Sequence, residues 1–192
     1  LRLKHPFLRS RETNLYGSLQ LDWRDVDSKN NIEPTRKDRL RILRTGIQAE
    51  FLDRLLGTAI NSLDITISQG LGILGASKEG ESNLSRASAD PAFTKTELRF
   101  QRLQRITNTI NLLFEGRGQL SNNPLPSSEE FGIGGISTVR GYAPSEIVGD
   151  DGILGKIEAQ WNTPSDILQI YGFLDSGTVW NQDATNSADK RE

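Results

Sequence analysis

Apolar residues recur at every second position through most of this chain, with strongly polar residues between them. Leu15, Leu19, Leu21 and Trp23 share one parity with Gly17, and Tyr16, Ser18, Gln20, Asp22 and Arg24 share the other. Leu43, Ile47, Ala49 and Phe51 oppose Arg44, Gln48 and Glu50; Leu63, Ile65 and Ile67 oppose Ser62, Asp64, Thr66 and Ser68. The alternation returns at Leu98 and Phe100, at Ile110, Leu112 and Phe114, and at Ile153, Ile157, Ala159 and Trp161 against Lys156, Glu158, Gln160 and Asn162. It ends with Leu168, Ile170 and Leu174 against Gln169, Tyr171 and Asp175. A period of two marks strands with one apolar and one polar face. With a short opening strand from Leu1 to about Phe7, the pattern predicts an all-β, antiparallel fold of about eight strands.

The connections alternate in length. Ser10–Asn14, Asp53–Thr58, Ile106–Thr107 and Thr163–Asp166 are tight, whereas Asp27–Arg39, Gly72–Thr94 and Gly118–Gly152 are long, polar and rich in Gly, Pro, Ser and Asn. A transmembrane β-barrel has short turns on one rim and long loops on the other, and this chain keeps that rule throughout. Arg44, Gln48, Glu50, Asp64, Lys156, Glu158 and Gln160 would be costly in a dry core, but they suit the wall of a water-filled lumen. Trp23 and Trp161 read as strand-end residues of an interfacial girdle, and Trp180 as a further candidate. A soluble β-sandwich that binds carbohydrate or protein through its loops is the alternative from another class, with the polar parity simply facing solvent.

Composition trims these choices. Only 35% of the 192 residues are hydrophobic, which is low for a soluble core of this length. No run of eighteen apolar residues exists, so no helix spans a membrane, a test that barrel strands escape. The net charge of -2 argues against a nucleic-acid footprint. With no cysteine, disulfides and thiolate ligands are excluded. His5 is the only histidine, so a multi-histidine zinc site is impossible; its setting beside Pro6 suggests a turn or rim. The charged run from Arg36 to Arg41 reads as a solvated loop and strand rim, and Asp150-Asp151-Gly152 as a turn leading into a strand rather than a calcium site. Gly132 to Ser137 lacks the lysine of a phosphate loop. No metal, cofactor or catalytic residue is expected.

One stretch buries nothing periodic. Gly134-Gly135-Ile136-Ser137-Thr138-Val139-Arg140-Gly141-Tyr142 combines glycines with a permanent cation and an aromatic. That combination suits a loop tucked into a polar cavity. Farther on, Phe173-Leu174-Asp175-Ser176-Gly177 puts a carboxylate on the polar parity of the last strand. An inward Arg140 paired with an inward Asp175 is the expected constellation. Arginine offers a planar fork that a carboxylate accepts bidentately, and Tyr142 would pack its ring beside it.

Three segments resemble the C-terminal barrel of two-partner-secretion transporters, the haemolysin-activator and filamentous-haemagglutinin-exporter family. They are His5-Pro6-Phe7-Leu8-Arg9-Ser10-Arg11 with Asn14-Leu15-Tyr16, Phe131-Gly132-Ile133-Gly134-Gly135 with Val139-Arg140-Gly141-Tyr142, and Phe173-Leu174-Asp175 with Gly177. The resemblance implies a sixteen-stranded transmembrane barrel behind periplasmic POTRA domains, with the second segment folded into the lumen. It implies Arg140 on that loop and Asp175 as its partner on the wall. It further implies a monomeric pore in the outer membrane of a Gram-negative-type bacterium, cyanobacteria included, contacting lipid and a secreted client polypeptide. Residues 1–192 are then a fragment of one barrel domain, with POTRA domains and the remaining strands elsewhere. An assembly factor of the same superfamily, which inserts other barrels, is the nearer alternative.

Overall fold

The computed structural model describes residues 1–28, 36–163 and 167–182. Eight strands form a single antiparallel sheet in chain order: β1 (Arg2–Arg9), β2 (Thr13–Ser28), β3 (Arg36–Asp53), β4 (Ala59–Gly70), β5 (Thr94–Arg105), β6 (Ile110–Ser121), β9 (Asp151–Asn162) and β10 (Gln169–Trp180). Between β6 and β9 the chain makes a 3₁₀ turn, Ser127–Glu129, and a separate hairpin of β7 (Phe131–Ile133) and β8 (Ile147–Gly149). The period-two pattern could not reveal this hairpin, because three-residue strands are too short to show a period.

Register makes each predicted parity continuous across the sheet. Gln20, Arg44, Ser68 and Lys95 stand side by side on one face, and Lys95 pairs Ser121 on β6. Glu115, Lys156 and Asp175 extend that face to the last strand. The sheet is curled rather than flat, since its polar face lines a cavity of about 640 Å3 whose wall runs from Arg2 on β1 to Leu154 on β9. On the other face Leu19, Leu21, Ile47, Ile67, Leu98, Ile153, Ile157 and Ile170 all lie exposed. An apolar wall of this extent calls for a non-aqueous neighbour. No second large sheet stacks on either face among the described residues, which removes the sandwich.

The boundaries differ from expectation in one region. The hairpin of β2 and β3 stays paired out to Ser28 and Arg36, so Asp27 and Arg36–Arg39 belong to strands, and 29–35 lie outside the described residues. The run from Arg36 to Arg41 is therefore not a solvated loop. Asp38 and Arg41 are buried. The β4–β5 connection covers them, with Ser85 N–H donating to Asp38 at 2.9 Å and Leu74 O accepting from Arg41 Nε at 3.4 Å, while on the β2 side Arg41 lies 3.7 Å over the Trp23 ring and pairs with Asp25 at 2.8 Å. Trp23 is consequently well inside β2 instead of at its end. His5 likewise lies within β1, opposite Gly17, and not on a turn. Of the tight turn expected at Thr163–Asp166, residues 164–166 lie outside the described residues, as do 183–192.

The long connections lock together at one rim. Leu40, Ile42, Phe93 and Leu125 form a small buried cluster there. Asp150 is fully buried (0% exposed) and accepts from Arg86 at 2.6 and 3.1 Å, from Leu125 N–H at 2.7 Å and from Gln182 N–H at 2.8 Å. It sits in the turn leading into β9, as the sequence suggested, and there it ties together the β4–β5 connection, the segment after β6 and the segment after β10. At the other rim, on the apolar face, Arg102 binds both oxygens of Asp53 at 2.5 and 3.2 Å and also reaches Asn61 and Gln104. Arg102→Ala should lower the urea midpoint of the folded barrel, because it leaves the Asp53 carboxylate on an apolar wall with only Asn61 and the Leu55 N–H as partners. An unchanged midpoint would show the network to be dispensable.

Candidate functional site

The connection between β6 and β9 does not extend away from the sheet. It turns inward and lays β7 and β8 against the polar face of β9 and β10. Two wall glycines make room for it. A Cβ on Gly152 would fall 2.2 Å from the Phe131 ring, and one on Gly177 would fall 2.8 Å from Ile133 Cδ1. This is why Gly177 accompanies Asp175 in the third motif: the loop's apolar side chain occupies the missing side chain's place. Ile133, Val139 and Val179 then form a buried cluster, with Phe131 and Ile147 packed on it.

The tip is shaped by its own backbone. Gly134 adopts φ +116° and Gly135 φ +92°. Thr138 closes the turn by donating its hydroxyl to Gly134 O at 2.6 Å and accepting from Gly134 N–H at 2.9 Å. Gly135 N–H donates to Tyr142 O at 3.0 Å, which draws the two limbs together. Tyr142 contributes through its main chain; the residue is 61% exposed, so it does not pack as the sequence suggested.

Held this way, Arg140 meets the wall on several sides. Its Nε and Nη2 donate to the two oxygens of Asp175, each at 2.7 Å, and its backbone N–H adds a third bond at 3.1 Å. Nη1 donates to Glu158 at 2.5 Å. The guanidinium lies 3.6 Å over the Phe173 ring, a cation–π platform. The side chain of Asp175 is only 2% exposed in this arrangement. Hydrogen bonding to Asp175 raises the guanidinium's pKa, burial opposes this, and Glu158 adds to the rise. The group stays cationic at any pH the protein survives.

Val139, Arg140, Phe173 and Asp175 thus come together, with Gly134 and Gly135 shaping the approach, while Gly141 and Tyr142 lie on the exposed return limb. Glu158 was placed on the polar parity by its sequence, yet nothing marked it as a partner of Arg140. Register supplies the link, since Glu158 pairs with Phe173 and Lys156 with Asp175. Lys156 balances the cluster and is itself held by Glu115 at 3.2 Å. Among the described residues no group of three or more His, Cys, Asp or Glu is placed to hold a metal ion.

A family model for haemolysin secretion/activation proteins of the ShlB/FhaC/HecB type matches residues 1–189. The chain belongs to this family. None of the curated proteins compared with it matches. Among solved structures, CdiB from Escherichia coli superposes with a TM-score of 0.78 at 20% identity, covering 98% of this chain and 35% of that one. CdiB from Acinetobacter baumannii gives 0.64 at 24% identity, with 99% and 33% covered. Both likenesses show the fold, a section of a β-barrel, and the chain spans about a third of either protein. For this member of the haemolysin secretion/activation family, the curled sheet is therefore a stretch of barrel wall, and its polar face is the lumen side.

Proposed function

We propose that the chain is part of a single transmembrane β-barrel domain that forms an outer-membrane pore in two-partner secretion. The pore passes an unfolded client of haemolysin or adhesin type from the periplasm to the surface of a Gram-negative-type cell. The rest of a sixteen-stranded wall and the POTRA domains complete the transporter, which works as a monomer in lipid. Val139, Arg140, Gly141, Tyr142, Phe173 and Asp175, with Gly134 and Gly135, are the loop-and-wall anchor that keeps the lumen loop in its transport-competent position.

The observation carrying this reading is the multidentate grip of Arg140 on Asp175 and Glu158 on the polar face of the barrel wall. A buried ion pair is weak evidence for stability, because desolvation offsets much of its attraction. Its better-attested use is to fix one register or one state of a switch, and a lumen loop needs such a fixture. Planar-bilayer conductance of the full-length parent tests the pore. Wild type should give discrete channels, and Asp175→Ala should open more often and close less completely. Folded protein without channels would overturn the reading.

A further inference from the structure

The inserted loop touches the wall at a second place, on different strands and with the opposite polarity. Glu129 ends the 3₁₀ turn and is 3% exposed. Its carboxylate accepts from Arg44 at 2.7 Å and pairs with Lys95 at 3.1 Å and Arg24 at 3.2 Å. The main chain is gripped as well: Lys95 Nζ and Gln119 Nε2 donate to Glu129 O at 2.9 and 3.2 Å. Behind these groups Arg44 binds Asp22 at 2.8 Å and Ser68 at 2.7 Å, and Lys95 pairs with Glu97 at 3.5 Å.

The charges explain why a carboxylate belongs there. On the wall, β2, β3 and β5 gather three cations, Arg24, Arg44 and Lys95, around two carboxylates, Asp22 and Glu97. One negative charge is missing, and Glu129 supplies it from the loop. Burial pushes its carboxyl up, but the charges of Lys95 and Arg44 outweigh that and hold it below the usual carboxylate range, so it is an anion at neutral pH. At the Arg140 end the polarity is reversed: the loop brings a cation to acidic strands. A loop shifted or turned around would set like charges against each other at both places.

We propose that Glu129 is a second positioning residue of the lumen loop, pinning its outgoing limb to β2, β3 and β5 while Arg140 pins the tip to β9 and β10. The loop then ties together wall strands from β2 to β10 across the lumen, and neither clasp alone defines its course. This rests on the pore reading for its purpose, but the test does not need transport to occur.

Ser68 is fully buried beneath the Glu129 clasp, and the chain contains no cysteine. A Ser68→Cys variant of the full-length barrel, with any cysteine outside residues 1–192 replaced, carries a single thiol that a water-soluble maleimide reaches only when the limb lifts. Adding Glu129→Gln should speed labelling by about tenfold, the change expected for roughly 1.4 kcal/mol of lost hold. Arg44→Gln should also speed labelling, and the double variant should fall short of the product of the two single effects, because the two substitutions share the Arg44–Glu129 contact. If Glu129→Gln fails to fold, Lys95→Gln gives the same readout with Arg44 and Arg24 still holding the carboxylate. Unchanged labelling in the folded variants, or strictly additive effects of Glu129→Gln and Arg44→Gln, would overturn the proposal. Since labelling reads a resting barrel, either result stands whether or not a client is secreted.

Discussion

Arg140→Ala in the full-length transporter should reduce client secretion by about tenfold or more while leaving normal amounts of folded barrel in the membrane. Removing the guanidinium takes away two bonds to Asp175, one to Glu158 and the contact over Phe173. Asp175 then has no side-chain cation of its own, because Lys156 is engaged with Glu115, and it keeps only the main-chain N–H of position 140. Beside a water-filled lumen the loss of these charge-assisted bonds costs about 1–3 kcal/mol, enough to change the population of the clasped loop by about tenfold or more. Barrel folding is spared, since its ladders and apolar wall do not involve this residue. Arg140→Lys should fall between, because a point charge can satisfy one carboxylate but cannot reproduce the fork stacked over Phe173. Asp175→Ala should approach the alanine variant of Arg140, and Glu158→Gln should be milder, as it loses one bond. Exchanging the two charges should not restore secretion, because an arginine at position 175 would face Lys156 across the ladder. Assays of client in the medium, normalised to barrel level, decide the matter. Normal secretion from both Arg140→Ala and Asp175→Ala would refute a transport role for the clasp.

How much of this was legible beforehand depends on range. Parity along a strand is local, so Gln20, Arg44, Lys156 and Asp175 could be assigned to one face from their own neighbours. Alternating loop lengths set the barrel above the sandwich for the same reason, because each loop is read from a contiguous segment. Partnership between strands is not local. Glu158 becomes a ligand of Arg140 only through the register that sets it beside Phe173, and Glu129 only because the chain reverses into the lumen after β6. A Ser-Ser-Glu-Glu run in a polar loop carries no mark of three converging cations. The charged segment from Arg36 to Arg41 misled for a related reason. Its composition is that of a loop, yet it stays in the ladder because β2 pairs it and the β4–β5 connection covers it. Trp23 looked like a strand-end residue only because β2 was taken to stop early.

The loop tip yields the second large effect. Gly134→Ala should depress secretion nearly as far as Arg140→Ala, although position 134 touches neither carboxylate. Its backbone has φ +116°, and an added Cβ would lie 2.1 Å from Ala143 O and 3.3 Å from Ala143 C. Both are main-chain atoms of the opposite limb, so no side-chain rotation relieves the clash. The limbs must separate, breaking the Thr138 closure and carrying Arg140 away from Asp175. Conformational strain alone is worth about 1–3 kcal/mol at such a site, before the clash is counted. Gly141 offers the control. Its φ is +93°, but nothing lies within 4 Å of an added Cβ, so Gly141→Ala meets strain without collision. Gly135→Ala stands between, with Pro144 at 3.2 Å. Secretion should therefore rise in the order Gly134→Ala, Gly135→Ala, Gly141→Ala at equal barrel level. If Gly141→Ala were the most damaging, the decisive contact would be one made at the exposed end of the loop by the passing client. In that case the tip would act as a guide surface, and the close approach of its two limbs would not explain why these glycines sit where they do.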